Sequence, residues 1–193
     1  MAEIGLGPGQ SEGTNMSEII PPVVAGEKGT VPVCATCGSH LVMHDAWANW
    51  NPTKGAWELG AVFDATFCDV CGGETRFDWL TVADWRTRRI RALNDTLRQT
   101  GPTMNDRSLV TIGIAEKGQA FVDQVVKLVA NFADFTPDND PNGEHDFGIV
   151  EVEGLQVYFK IDYYTPDLQG GSLDPTEQSC TARVLTILLA SEY

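Results

Sequence analysis

Four of the five cysteines form two C-x-x-C pairs, Cys34 with Cys37 and Cys68 with Cys71, with thirty residues between the pairs. Thiolates are soft ligands, and four of them close a tetrahedral shell around zinc that leaves no position for water or substrate. The expectation is therefore one structural zinc ion held by Cys34, Cys37, Cys68 and Cys71. A redox dithiol would require one pair in a βαβ setting, which is absent. His40 and His44 lie near enough in sequence to replace a thiol and are read instead as surface or core histidines. Cys180 stands alone and is read as a buried, inert thiol.

A second stretch, Asp134 to Asp146, reads DFTPDNDPNGEHD and carries five carboxylates and one histidine with no Lys or Arg. Oxygen-rich loops suit hard cations, and Asp138, Asp140, Asn142 and Gly143 match positions 1, 3, 5 and 6 of a calcium loop. Position 12 falls on Ile149, so half the motif is missing and an Asx-rich turn is the preferred reading. Asp138, Asp140, Glu144, His145 and Asp146 are taken as a surface for a basic partner or for a second metal. Glu144, His145 and Asp146 also admit metal-assisted hydrolysis, since carboxylates beside an imidazole fix its tautomer and raise its basicity. No nucleophile elbow, phosphate-cradling loop or H-E-x-x-H accompanies them, so no catalytic residue is assigned and the reading leans away from an enzyme.

The elements that must position these residues follow from periodicity. Residues 1–30 are rich in Gly, Pro, Ser and Glu without a sustained apolar period, and read as a disordered tail. Residues 31–80 read as a small β-rich zinc module, with strands at 41–50 and 56–63 joined by a turn at Asn51, Pro52 and Gly55, and a half-buried strand at 74–79. Residues 81–100 read as a connecting amphipathic helix, with Asp84 as its N-cap, Ile90, Leu93 and Leu97 as its apolar stripe, and Arg88, Arg91 and Arg98 on a basic outer face. Residues 101–193 read as a compact acidic domain. A strand at 109–114 leads to a helix at 116–133 with Phe121, Val125, Leu128 and Phe132 buried. A hairpin at 147–163 turns at Glu153 and Gly154, and a central strand spans 183–190. The fold class is α+β, with a mainly antiparallel sheet after the zinc module.

The formal net charge is −14, unevenly spread. Residues 81–100 hold five arginines against two acids, whereas residues 101–193 hold fifteen acids against five bases. A surface this acidic favours cations or a basic protein partner and opposes nucleic acid. Arg86, Arg88, Arg89 and Arg91 are the residues through which a zinc-ribbon nucleic-acid binder would touch phosphates, the alternative to an interaction protein. Neither an export signal nor an apolar run long enough to span a membrane is visible, and paired cysteines suit a reducing compartment, so a cytoplasmic location is expected.

Residues 31–80, about fifty residues around the two cysteine pairs, resemble a four-cysteine zinc ribbon. The segments NDPNGEHDFG (139 to 148), FKIDYY (159 to 164) and RVLTILLASEY (183 to 193) resemble the domain of unknown function 3768 family, found in bacterial proteins and often plasmid-encoded. The resemblance covers roughly the last hundred residues. It implies a two-part architecture and a mobile-element setting, in which an acidic protein could act as an accessory or anti-defence factor on a nucleic-acid-binding partner, and it implies no mechanism.

Overall fold

The computed structural model describes residues 29–193. The expected tail at residues 1–30 thus lies outside the described residues except for its last two. The chain divides into two compact units, one ending at Trp79 and one comprising Leu80–Tyr193.

The first unit is built from strands and turns. Strand β1 (Thr30–Cys34) pairs with β5 (Phe77–Thr81), while β2 (Val42–Asn51), β3 (Ala56–Cys68) and β4 (Gly73–Glu74) form a second sheet in the order β2-β3-β4. The β2–β3 hairpin is antiparallel, with Trp50 opposite Trp57 and Val42 opposite Cys68. Its turn is set locally. Asn51 Oδ1 accepts from the amides of Thr53 and Lys54 at 2.9 and 3.1 Å, and Gly55 adopts a φ of 61° that a side chain would strain. The single strand expected at 74–79 is divided between β4 and β5. The break falls where Arg76 O accepts from the Ala35 amide and Thr75 N donates to Thr66 O, so the backbone serves two neighbours in turn.

The second unit opens with helix α1 (Val82–Thr100). Its N-cap is Thr81, not Asp84: the Asp84 amide donates to Thr81 Oγ1 at 3.0 Å, and the hydroxyl donates back to the Asp84 carboxylate at 2.8 Å. An acid at the third helical position also complements the helix dipole. Gly101, with φ 91°, ends the helix. The basic outer face does not form, because only Arg88 of the three arginines is exposed, Arg98 is buried and Arg91 is half-buried. A guanidinium reaches carbonyls through a long stem, so an arginine outside the apolar stripe can still turn inward.

Strand β6 (Arg107–Val110), the single helical turn α2 (Ile112–Ala115) and helix α3 (Gln119–Ala130) follow. The helix expected at 116–133 is therefore shorter, and the strand expected at 109–114 ends at Val110, its later residues forming α2. Gly118 takes φ 94°, a left-handed conformation that stops α2 and restarts the chain as α3. The buried face of α3 is Phe121, Val125 and Val129, with Leu128 exposed and Phe132 packed on the core from beyond the helix end. Strands β7 (Phe147–Val152) and β8 (Leu155–Tyr164) make the expected hairpin, its turn formed by Glu153 and Gly154 at φ 52° and 78°. Both central turn residues have positive φ, the choice that matches strand twist in a two-residue turn.

Strand β9 (Ala182–Leu189) completes a four-stranded sheet in the order β6-β9-β8-β7, parallel to β6 and antiparallel to β8. As its unbroken apolar run requires, β9 is central and buried on both faces. Val150, Val152, Val157, Phe159, Ile161, Leu185 and Ile187 from the sheet meet Leu97, Ile114, Phe121, Val125 and Val129 from the helices in one core. Each such side chain contributes about 1.5–3 kcal/mol of burial. Leu97 belongs to that core, so α1 is an integral layer of the second unit instead of a connector. The chain is α+β, with antiparallel pairing dominant.

Candidate functional site

In the first unit, two similar turns bring the four cysteines together. The Gly38 amide donates to Cys34 O at 2.8 Å and the Gly72 amide to Cys68 O at 2.9 Å, with φ values of 72° and 67° that only glycine adopts without strain. Each turn aims an amide at a sulfur: Thr36 N lies 3.4 Å from Cys34 Sγ, and Cys71 N lies 3.4 Å from Cys68 Sγ. Sulfurs from opposite turns are neighbours, Cys34 and Cys71 at 3.8 Å and Cys37 and Cys68 at 3.6 Å. All four sulfurs lie within 4.8 Å of one another, and among the described residues no other set of three or more His, Cys, Asp or Glu brings its ligand atoms together in this way. The four cysteines could therefore hold a metal ion between two buried and two exposed thiols.

The thiols are electrostatically unequal. A hydrogen bond from the Thr75 hydroxyl, 3.1 Å from the sulfur, pulls Cys34 down to about 6. Cys71 is pushed up to about 12, first by its neighbour Cys37 and then by desolvation. Four sulfurs this close cannot all carry negative charge without a cation among them. His44 stays outside the cluster, its ring edge-on to Phe77 at 5.2 Å and its Nδ1 3.2 Å from Phe63 O. Cys180, in the second unit, is half-buried rather than buried, with its sulfur 3.6 Å from Glu177 O.

The loop at 134–146 is organised by its own backbone and by α1. Asp140 is buried, and its carboxylate accepts from the amides of Glu144 at 2.9 Å and His145 at 3.2 Å. Asn139 accepts from the Thr136 amide and donates to Asp134 O, which closes the Asx-rich turn. Asp138 is exposed; Glu144, His145 and Asp146 are half-buried. Of the five residues singled out from sequence, Asp138 alone projects fully to solvent. His145, at a φ of 57°, stacks flat on Phe135 at 3.7 Å and places Nδ1 3.0 Å from Asp95 of α1. Its Nε2 is 3.9 Å from Asp140 Oδ2, and both residues line a shallow depression of about 410 Å³ with Arg91 and Thr87. Glu144 goes elsewhere, accepting from the Tyr163 hydroxyl at 3.1 Å.

Beneath the loop lies a polar network that sequence reading missed. Asn94 donates to Glu144 O at 2.9 Å and to Tyr163 Oη at 2.7 Å, and accepts from Arg183 Nε at 3.2 Å. Arg183 is fully buried; it donates through its guanidinium to Pro175 O and through its backbone amide to Asp106 at 2.9 Å. Arg98 donates to Val129 O, Ala130 O and Asp95. Arg98 Nε and Arg183 Nη1 are buried without hydrogen-bond partners, yet the guanidinium carbons sit 5.3 Å from the Phe135 ring centre and 5.8 Å from that of Tyr163. Those ring faces offset part of the desolvation. Burial lowers Arg183 and raises Tyr163, Glu144 and Asp146 from their ordinary values. One readable signal existed. Asn94 stands four residues after Ile90, on the apolar stripe of α1, where a polar side chain must find a partner.

Three of the four arginines read as phosphate contacts are engaged within the same unit, while Arg88 is exposed. Arg86 pairs with Asp174 at 2.9 Å, Arg89 donates to Thr176 O at 3.4 Å and Arg91 donates to Gly143 O at 2.6 Å. Among the described residues no helix is long and apolar enough to cross a membrane. No curated protein and no solved structure matches the chain. Residues 110–192, from the end of β6 to the last turn, match the family described as Protein of unknown function (DUF3768).

Proposed function

We propose that the protein is a zinc-stabilised, acidic interaction factor that binds a basic surface on a protein partner in the cytoplasm. For the metal, the cysteine geometry supports zinc. A tetrahedral ion with bonds of about 2.3 Å to sulfur separates its ligands by about 3.8 Å, close to the 3.6 and 3.8 Å between opposing sulfurs. A closed shell of this kind supplies folding free energy and offers no position for catalysis.

For the partner, one observation carries the reading: Arg86, Arg89, Arg91 and Arg98 are turned onto carbonyls and carboxylates of their own unit. The second unit keeps Arg88, Arg107, Lys117 and Lys127 exposed, but its acids outnumber them, and that excess opposes a phosphate backbone and favours a basic protein. The hydrolytic alternative lacks a converged set of groups, because Glu144 and His145 go to Tyr163 and Asp95 respectively. In the plasmid-borne setting that the family resemblance implies, such a protein would act as an accessory factor covering a nucleic-acid-binding surface of another protein.

Metal analysis of the purified protein and affinity capture from a host cell, with and without nuclease, test this reading together. The expected result is close to one zinc per chain and a basic protein retained after nuclease and released by salt. Retention that depends on nucleic acid, or a metal-free native protein, would overturn it.

A further inference from the structure

The β2–β3 hairpin exposes several large apolar side chains. Trp47 and Trp57 are each 69% exposed, Leu59 56% and Trp50 53%. The short β4 pairs only with Phe67 and Cys68 at the far end of β3, and exposed indoles side by side mark contact surfaces on soluble proteins. The register sorts these side chains. Trp50 pairs with Trp57, and Ala48 pairs with Leu59 two positions along, so Trp50, Trp57 and Leu59 share one face. Trp47, three residues from Trp50, falls on the opposite face by alternation, and its ring meets Phe63 edge-on at 5.0 Å.

We propose that the Trp50–Trp57 face of the β2–β3 hairpin is the docking surface for an arginine-bearing segment of the basic partner. This rests on the reading of the protein as an acidic interaction factor and names where and how it grips. The two indoles stand side by side across the strand pair. Their rings meet at 5.6 Å and 71°, and the turn that joins their strands is fixed by Asn51 and Gly55.

Charge selects the occupant. The hairpin carries Asp45, Glu58 and Asp64 against Lys54; Glu58, between Trp57 and Leu59, points to the opposite face and is paired there with Lys54 at 2.5 Å, so the field at the indoles is that of the unit as a whole. Across residues 29–79 there are six acids and two bases. A second copy of the chain would bring the same negative field to the face, and a nucleic-acid strand would bring phosphates to it; both are repelled. A guanidinium is attracted by that field and stacks flat on an indole, which has the strongest quadrupole of the aromatic side chains.

The test uses the full, zinc-loaded chain and a labelled peptide of alternating arginine and glycine, with the lysine–glycine peptide as charge-matched control. Trp50→Ala/Trp57→Ala changes no charge, so diffuse attraction between an acidic protein and a cationic peptide cancels in the comparison. The arginine peptide is expected to bind more tightly than the lysine peptide, and the alanine pair to weaken it by about tenfold or more. Trp50→Phe/Trp57→Phe, which keeps ring packing, is expected to fall between the two and decides the matter if the alanine pair loses its metal. Undiminished binding in both variants, or equal binding of the two peptides, overturns the proposal. So does a concentration-dependent dimer lost on substitution, which would make a second copy the occupant. Tighter peptide binding on removal of residues 1–28 would assign the face to the chain's own N-terminal segment and also overturn it. Capture of the same basic protein by wild type and both variants would reject this face while leaving the proposed function standing, whereas failure of wild type to retain any basic protein rejects the function itself.

Discussion

The Asp95 carboxylate on α1 lies 3.0 Å from His145 Nδ1, fifty residues away in sequence, while it accepts from Arg98 at 2.8 Å. One carboxylate thus ties the acidic loop to the helix and neutralises a guanidinium whose side chain is 2% exposed.

Asp95→Asn should therefore destabilise the second unit by about 1–3 kcal/mol, the cost of leaving the buried Arg98 guanidinium short of its counter-charge. Urea unfolding followed by Trp85 fluorescence, in a background with Trp47, Trp50, Trp57 and Trp79 replaced by Phe, measures it. A change smaller than about 0.5 kcal/mol, the range of ordinary surface substitutions, would mean the tether carries no energy.

The contrast between what periodicity revealed and what it hid has a physical source. The β7–β8 hairpin and the double-sided burial of β9 were legible because alternation and an unbroken apolar run are local signals. The cysteine cluster was legible because its spacing alone brings two turns together. The inward arginines were not. Whether Arg98 faces solvent or the carbonyls of Val129 and Ala130 depends on α3 ending beside it, which no local pattern encodes. The Asp95–His145 pair joins elements far apart in sequence and was equally invisible. The match to the family begins only at residue 110, yet Leu97 from outside it enters the same core, so the limits of the matched segment are not the limits of the packed unit.

Removing the metal should affect the two units differently. If the four cysteines hold the proposed ion, Cys34→Ser and Cys71→Ser each remove one of its ligands and a chelator removes the ion reversibly; the surroundings of Trp47, Trp50, Trp57 and Trp79 in the first unit are expected to change. The second unit holds its own apolar core and should retain its urea transition. Near-ultraviolet spectra with and without chelator check this. A single cooperative loss of both units would reject independent folding.

The second unit should gain stability as pH falls from neutrality towards the ordinary carboxylate range, about 4. Burial, with Asp146 and Asp140 nearby, raises Glu144 against opposition from Tyr163 and Arg86; burial, with Asp140 and Asp162 nearby, raises Asp146. An acid raised in the folded state binds its proton more tightly there than in the unfolded chain, so stability increases as pH falls through its folded value. Asp167, Asp174, Glu177 and Glu192 are held below their ordinary values, chiefly by local hydrogen bonds, and their contribution is lost as pH falls through those lower values. A stability maximum in mild acid follows. Asp146→Asn should raise stability at neutral pH and flatten the acid-side gain in a melting series; an unchanged profile would show that its burial costs nothing.

Asp138 and Asp140 separate the loop's architecture from any role as a partner surface. Asp140, with a side chain 2% exposed, accepts from two amides and holds His145 in its left-handed conformation. Asp140→Ala leaves both donors without their acceptor and should cost about 1–3 kcal/mol. Asp138 is exposed and should tolerate Asn within about 0.5 kcal/mol. Because the Asp140 carboxylate is committed to the loop's own amides, calcium or manganese should leave the melting temperature unchanged; a rise abolished by Asp140→Ala would instead establish a second metal site through mass action. If the loop contributes to the basic partner's footprint, Asp138→Asn should weaken capture of that partner without any change in melting. Full capture by Asp138→Asn, beside reduced stability in Asp140→Ala, would confine the loop to its work as a turn between α3 and β7.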